Sequence, residues 1–471
     1  GKDPAAALKG LLDKKLLRCL GRKKVVGNPM LYGTTRGFLE HFGLNDLNDL
    51  PSLEEFDELI GVLEDRQAAL GPPSEEEIHR RVRRVQKTMS VEGIDFYLCH
   101  NPDNIFYLTH FANFVHERPF LLLIPLAGTP VFLMPKLEEA HVRARAVGAL
   151  EFLNYFEFPA PKGQGWADQL RSVLSARHKV GIETHGPVAV AREIPGEYLV
   201  TAIVDEIRMI KTAYEIGRIA YTAKLLSRGH AQLLAGARPG RMIVELYTQT
   251  NKTLVRRLLR DNPNSNMLNT KFAAIAQPPA ISHDPHNFTD VFMRFDQGGP
   301  HVSIASGLAN GYGAEIERTF FINSVPEAAR APFHTMLEGR ALAYDLTIPG
   351  NSMAEVDRRV NDFFRSKGYA AKLLHRTGHG FGVTNHEAPF LAEGYEREIR
   401  PGMVFSIEPG LYIDGVGGFR FSDTVLVAEE GTRKLTEAPE SLEALTLKRK
   451  SALVDRAKAL LVRKLARSSP A

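Results

Sequence analysis

Acidic and imidazole side chains that could carry out hydrolysis are concentrated in the last third of the chain. Glu315 and Glu317 alternate within an apolar segment, and Glu408 follows another apolar run directly before a proline. His379 and His386 lie between them in a glycine-rich stretch. An imidazole can take a proton from water and return it to a leaving nitrogen, and paired carboxylates can bind a cationic group. These residue types indicate an enzyme that uses acid–base chemistry.

The sequence divides into four segments, and the third of them contains these side chains. Residues 1–69 have a helical apolar pattern, two short strands separated by a glycine-punctuated basic turn, and a polar linker. Residues 77–205 alternate short apolar strands with helical stretches, which predicts an α/β domain. Residues 206–446 begin with a long helix and again alternate strands and helices. Residues 447–471 read as a basic helical tail.

Composition favours a multidomain cytoplasmic protein. The chain has 471 residues, 44% hydrophobic and 24% charged, and is too long for one compact core. Its two cysteines, Cys19 and Cys99, provide no disulfide framework. The net charge of +4 gives no argument for nucleic acid, and the longest apolar run is too short to span a membrane. We therefore expect neither a membrane nor a nucleic acid as partner.

Four motifs in the second half of the chain are familiar. The segments GYGAEIERTF, TGHGFGVTNHEAPF, PGMVFSIEPGLY and GGFRFSDTVLV occur in the order found in aminopeptidase P, prolidase, methionine aminopeptidase and creatinase. The chain resembles this family over about residues 77–446. The resemblance implies an α/β fold class, with a creatinase-type N-terminal domain at 77–205 and an α+β pita-bread catalytic domain at 206–446.

In the metallopeptidases of this family, two Asp, one His and two Glu hold two divalent ions. The resemblance places these five ligands on Ile304, Glu315, His379, Glu408 and Ser422. An isoleucine cannot coordinate a metal, and a neutral serine hydroxyl is a weak ligand. We therefore expect no metal cofactor, with a single weakly bound divalent ion at Glu315, His379 and Glu408 as the alternative.

Creatinase is the member of the family that hydrolyses without a metal, and the local match to it is closer. The resemblance assigns to Glu317 the glutamate of its active-site strand. His286 in Asp284-Pro-His-Asn287 matches its general acid/base. Glu317 and Glu408 would then bind a planar guanidinium or amidinium group. His379, His386 and Arg420 would contact the substrate or brace the acidic site.

The segment Val115–Phe120 resembles the part of creatinase that carries a substrate-binding arginine. Arg118 matches that arginine, while His116 stands where creatinase has an aromatic residue. In creatinase the arginine reaches across from a second subunit, so the resemblance implies a homodimer. The replacement at His116 suggests a different substrate.

The leading hypothesis is therefore a creatinase-like hydrolase that cleaves a C–N bond of a small, carboxylate-bearing guanidino or amidine compound. Creatine, a related guanidino acid and ectoine are candidate substrates. The first alternative is a metallopeptidase of the Xaa-Pro dipeptidase or aminopeptidase type. The second is a non-enzymatic protein of chromosome segregation whose large part is a binding scaffold.

The second alternative comes from the N-terminus. The segment GRKKVVGNPMLYGTTRGFLEHFGLNDLNDLPSLEEF resembles the C-terminal part of segregation and condensation protein B, ScpB, over roughly residues 5–58. What precedes it is too short for a whole winged helix, so a partial one is expected. The resemblance implies binding to subunits of an SMC complex rather than to DNA through the basic turn 22–24.

Overall fold

The computed structural model describes residues 4–23, 29–38, 70–113, 117–287 and 289–450. The chain divides into two units, Gly1–Ala68 and Ala69–Ala471. Among the described residues, no helix is both long enough and apolar enough to cross a lipid bilayer.

The first unit contains a helix followed by a two-stranded antiparallel sheet. Helix α1 spans Pro4–Asp13, strand β1 spans Leu17–Arg22 and strand β2 spans Met30–Thr34. Thr35 closes the hairpin, because its Oγ1 donates to the carbonyl of Lys15 at 2.8 Å. The sequence also predicts a helix at residues 37–42, of which only 37 and 38 lie within the described residues.

The second unit begins with a smaller lobe built on a six-stranded mixed sheet with the strand order β6-β5-β4-β3-β7-β8. Its first helix begins at Ser74, whose side chain accepts from the Glu77 N–H, and ends at Gly93, which adopts the left-handed conformation at φ +66°. The elements of this lobe are α2 (Glu75–Glu92), β3 (Phe96–Cys99), α3 (Pro102–Thr109), β4 (Leu121–Pro125), β5 (Val131–Pro135), α4 (Glu139–Arg145), β6 (Glu151–Tyr155), α5 (Trp166–Val173), β7 (Val180–Ile182), α6 (Val188–Ala191), β8 (Tyr198–Val200) and α7 (Ile203–Arg208).

The larger lobe is built on a nine-stranded sheet. Seven strands follow the order β13-β12-β14-β17-β11-β10-β9, and β18 and β19 pair with β17 and β11. Long helices pack on this sheet and bury its apolar face. The elements are α8 (Ala213–Gly236), α9 (Ile243–Asp261), β9 (Lys271–Gln277), β10 (Gly298–Ala309), β11 (Tyr312–Ile322), α10 (Glu327–Leu346), α11 (Met353–Ser366), β12 (Gly378–Gly380), β13 (Glu387–Leu391), β14 (Val404–Ile407), β15 (Gly410–Ile413), β16 (Gly417–Arg420), β17 (Ser422–Ala428), β18 (Gly431–Lys434) and β19 (Thr446–Leu447).

The two lobes of the second unit meet at the turn between β10 and β11. Gly311 has φ +89°, and a Cβ there would lie 2.2 Å from Phe106 of the smaller lobe, so only glycine fits. The buried Arg81 of α2 donates to the Tyr107 carbonyl at 2.7 Å and to the Tyr312 hydroxyl at 3.2 Å. The start of β11 is therefore fixed by the smaller lobe.

Candidate active site

Strand β11 places two acidic side chains on the same face of the large sheet. Side chains of a strand alternate between its faces, so Glu315 and Glu317 point to the same side. In the register of the sheet, Glu317 lies opposite Ile304 of β10 and opposite Ser422 of β17. Ser306 lies opposite Glu315. Ile304, Glu315 and Ser422, three of the positions to which the family resemblance assigned metal ligands, thus share one face.

His379 is placed by two glycines that let three strands approach closely. A Cβ at Gly378 would lie 2.0 Å from the Ser406 carbonyl of β14, and one at Gly380 would lie 2.7 Å from the Ala388 carbonyl of β13. The His379 side chain is fully buried, and its Nδ1 lies 3.1 Å from the Gly380 carbonyl. The glycines around His379 therefore serve close backbone packing.

Glu408 directly follows β14 and reaches the same pocket. Its backbone N–H donates to the Thr377 carbonyl at 2.8 Å, and Thr377 is held in turn by the buried Asp357. Its carboxylate Oε1 lies 3.3 Å from His379 Nε2. The backbone hydrogen bond fixes where this carboxylate enters the pocket.

Glu315, His379 and Glu408 have ligand atoms that all lie within 4.8 Å of one another. Burial raises the pKa of Glu315 and of Glu408 and lowers the pKa of His379. The Nε2 atom of His379 is buried and has no hydrogen-bond partner among the described residues. Two carboxylates and one imidazole suit a divalent transition-metal ion, which would favour their deprotonated forms. The three residues fit one such ion.

The remaining two assigned positions provide no comparable ligand. Ile304 has no donor atom. The Ser422 hydroxyl donates to Glu315 Oε1 at 2.9 Å and lies 3.0 Å from the Ser406 hydroxyl, so it supports Glu315. Five ligands for two ions are therefore not assembled by these positions.

Glu317 is paired within the protein. Arg420 donates from Nη2 to Glu317 Oε1 at 2.9 Å, and its Nε contacts the other oxygen of the same carboxylate. Arg420 also donates to the Tyr412 hydroxyl at 3.3 Å. Because both carboxylate oxygens of Glu317 face this guanidinium, Glu317 does not present the free carboxylate that a substrate guanidinium would need.

The acidic residues line a cleft of about 470 Å³. The exposed His286 stands in its wall, on a loop that Gln277 holds by donating to the carbonyls of Asp284 and Asn287 at 3.0 and 2.8 Å. The ring of His386 stacks on that of His379 with centroids 3.7 Å apart. The full lining consists of Ala273, Ile275, Gln277, Pro285, His286, Asn287, Thr289, Ile304, Ser306, Glu315, Glu317, His375, Arg376, His386, Glu408 and Arg420.

Arg118, which was predicted to bind substrate, is not among the residues that line this cleft. Arg118 pairs with Glu157 and with Glu117, each at 2.6 Å, so its guanidinium is engaged within its own lobe. His116 lies outside the described residues.

Sequence reasoning missed two residues of the cleft wall. His375 is held between the Arg376 carbonyl at 2.8 Å and the Tyr412 hydroxyl at 2.6 Å, and burial lowers its pKa to about 4. Arg376 lines the cleft beside it. Their position just before the glycine-flanked His379 was the signal that could have identified them.

Three family models match the chain. Residues 217–429 match metallopeptidase family M24, residues 81–210 match the creatinase/prolidase N-terminal domain, and residues 1–53 match the segregation and condensation complex subunit ScpB. The first two matches together span both lobes of the second unit.

Curated relatives and solved structures agree with these matches. The putative dipeptidase YkvY of Bacillus subtilis is 27% identical over 77% of this chain and 99% of its own. The Xaa-Pro dipeptidase of Pyrococcus furiosus is 24% identical over the same shares. The prolidase of Pyrococcus horikoshii OT3 superposes with a TM-score of 0.65 at 22% identity, over 77% of this chain and 99% of that one. The dipeptidase PepE of Mycobacterium ulcerans gives 0.69 at 22%, over 80% and 100%.

Two expectations from the sequence are wrong. The hypothesis of a creatinase-like amidine hydrolase is contradicted by relatives that are named dipeptidases, and Glu317 is already bound to Arg420. The expectation of no metal cofactor is contradicted by the match to a metallopeptidase family and by the three potential ligands within 4.8 Å. The predicted fold class is confirmed by the superpositions. Residues 81–210 and 217–429 therefore match, in order, the N-terminal and catalytic domains of the pita-bread family of creatinase, prolidase and the M24 metallopeptidases.

Proposed function

We propose that the chain is a metal-assisted hydrolase that cleaves the peptide bond of small dipeptides, including those of the Xaa-Pro type. The relatives named dipeptidase and Xaa-Pro dipeptidase share both lobes with this chain over nearly their whole length. The cleft volume of about 470 Å³ suits a ligand of a few residues at most.

The observation that carries the proposal is the grouping of Glu315, His379 and Glu408, whose two carboxylates line this cleft while the imidazole lies buried behind them. These residues would hold a divalent ion, which supplies Lewis-acid polarisation of a carbonyl and lowers the pKa of bound water. Ser422 keeps Glu315 in place through its hydrogen bond of 2.9 Å.

Proton transfer in this proposal belongs to the cleft histidines. Cleavage of a peptide bond must move a proton from the attacking water to the leaving nitrogen. His286 is exposed at the cleft wall, and its loop is held by Gln277, so it can shuttle that proton. The ring of His386 stacks on His379 and would shield one side of this imidazole from water.

Hydrolysis of a dipeptide panel, with and without Pro in the second position, tests the proposal. The full chain is first treated with a chelator and then supplied with Mn²⁺, Co²⁺ or Zn²⁺. Hydrolysis should require the ion and should fall at least about 100-fold in His379→Ala and Glu408→Gln, because each removes a ligand. The exposed control Glu355→Gln should retain activity. Absence of hydrolysis of every dipeptide with every ion, in protein shown to be folded, contradicts the proposal.

A second candidate function concerns the first unit. We infer that it binds a protein partner of the SMC-complex type, which is supported by the ScpB match at residues 1–53 and by the exposed side chains of Leu20, Leu31 and Tyr32. Co-purification of SMC-complex subunits with the full chain, and its loss in Leu31→Glu, would support this function. Retention in the variant would contradict it.

A further inference from the structure

Arg376 is a cation of the cleft wall that forms no ion pair with any carboxylate among the described residues. Among the described residues, no carboxylate oxygen lies within 4.0 Å of its guanidinium, and its Nε is buried without a hydrogen-bond partner. Arg420, the other arginine of the cleft, is by contrast bound to Glu317 through both carboxylate oxygens. A buried N–H group without a hydrogen-bond partner costs free energy. A ligand that supplied an acceptor to Arg376 would remove this cost.

The surroundings of Arg376 leave the edge of its guanidinium available. Its Cζ lies over the ring of Phe390, 4.7 Å from the ring centroid. Its Nη2 lies 3.5 Å from His386 Nδ1, at the limit of a hydrogen bond. The aromatic ring attracts the cation without using its N–H donors, which can therefore bind a carboxylate through two bonds.

The distance between Arg376 and the three potential metal-binding residues determines how long a substrate can be. His386 contacts Arg376 on one side and stacks on His379 at 3.7 Å on the other. The guanidinium thus lies one side chain away from the group formed by Glu315, His379 and Glu408. In a dipeptide, the free carboxylate belongs to the residue that follows the cleaved bond, so carboxylate and reacting carbonyl are also one residue apart.

We propose that Arg376 binds the free α-carboxylate of the substrate and thereby restricts the site to peptides that end one residue after the cleaved bond. The inference rests on the proposed hydrolase function. It assigns Arg376 to substrate binding and specificity, and leaves the bond cleavage to the groups described above.

Comparison of an Xaa-Pro dipeptide with its C-terminal amide tests the role of Arg376. In the wild type, kcat/KM should be about 10- to 100-fold higher for the free acid, as expected for a charge-assisted bidentate contact. Arg376→Met should lose this preference, mainly through a higher KM for the acid, and should lower kcat/KM for the amide by much less than for the acid. Arg376→Lys should keep part of it. The matched control Arg358→Met, on the exposed face of α11, should behave as the wild type.

An arginine that only offsets the acidic group electrostatically would affect the acid and the amide equally. Equal losses for both substrates in Arg376→Met, or no preference in the wild type, therefore overturn the inference while leaving the proposed function intact.

Calorimetric binding of free proline and prolinamide, without turnover, separates the two proposals. Proline should bind the wild type at least about 10-fold more tightly than Arg376→Met, and prolinamide should bind both alike. If no peptide is hydrolysed, the proposed function fails, but this binding difference would still support the role of Arg376. Equal binding of proline to both proteins overturns it.

Discussion

Arg420 and Glu317 form a largely buried ion pair in the lining of the cleft, with Nη2 and Oε1 2.9 Å apart. Their side chains are only 7% and 4% exposed. Because Glu317 binds Arg420, its carboxylate is not free to hold a substrate cation as was expected. The permanently charged guanidinium of Arg420 lies near Glu315 and Glu408. The pairing of Glu317 with Arg420 thus distinguishes this cleft from a site that binds an amidine.

Breaking this pair should destabilise the protein strongly. Glu317→Gln leaves the buried guanidinium without its counter-charge, and we expect the free energy of unfolding to fall by about 3–5 kcal/mol. Urea unfolding measures the change. Glu355→Gln, which removes the exposed partner of Arg358, should cost less than about 1 kcal/mol. A similar small loss for both variants would show that the buried pair contributes little.

Divalent ions should stabilise the folded chain through His379. An ion present at 100 times its dissociation constant adds about 2.7 kcal/mol to the free energy of unfolding. Thermal unfolding in Mn²⁺ should therefore shift upward for the wild type and stay unchanged for His379→Ala. The exposed control His334→Ala should shift as the wild type does. A shift that persists without the His379 imidazole would place the ion elsewhere.

Gly378 and Gly217 should respond to alanine in opposite ways. A Cβ at Gly378 would lie 2.0 Å from the Ser406 carbonyl, so strands β12 and β14 must separate and His379 must move. We expect Gly378→Ala to cost at least about 1–3 kcal/mol and to weaken ion binding. Gly217 lies in α8 with no atom within 4 Å of its Cβ position, and alanine there should stabilise by roughly 0.5–1 kcal/mol. Equal effects would refute the close approach of the two strands.

Buried His301 should make the protein sensitive to mild acid. Burial lowers its pKa to about 3, and its ring stacks on Phe320 with centroids 5.0 Å apart. Since the unfolded chain binds the proton first, stability is complete above about pH 6.5 and falls by up to about 1.4 kcal/mol per pH unit towards pH 3. Unfolding free energies at pH 7, 6 and 5 should show a shallower slope in His301→Gln than in the wild type. The exposed control His334→Gln should keep the wild-type slope.

Structural features that depend on residues close together in the sequence could be predicted from it. The spacing of Glu315 and Glu317 in an apolar strand is enough to place both side chains on one face, and the glycines around His379 permit close backbone packing. The first helical stretch of the α/β domain predicted from residue 77 is α2, which extends from Glu75 to Glu92 because Ser74 and Gly93 cap it. Such caps are residues within one turn of the helix and can be read directly.

The site chemistry depended on pairings between distant strands and could not be read in the same way. Whether Glu317 meets a substrate or Arg420 is decided by how β11 lies relative to β16, some hundred residues later in the chain. That Arg376 forms no ion pair among the described residues is likewise visible only once its neighbours are known to be Phe390 and His386. Local patterns give the residue types, and the tertiary register decides their partners.

The hydrogen bond between Arg81 and Tyr312 joins the smaller lobe to the very strand that carries Glu315 three residues further on. Any tilt of that lobe is transmitted along a stiff, fully hydrogen-bonded strand to a carboxylate of the reacting centre. A gene fragment encoding the larger lobe alone would therefore yield a protein with an unanchored active-site strand, and the two lobes can be expected to be inherited as one piece.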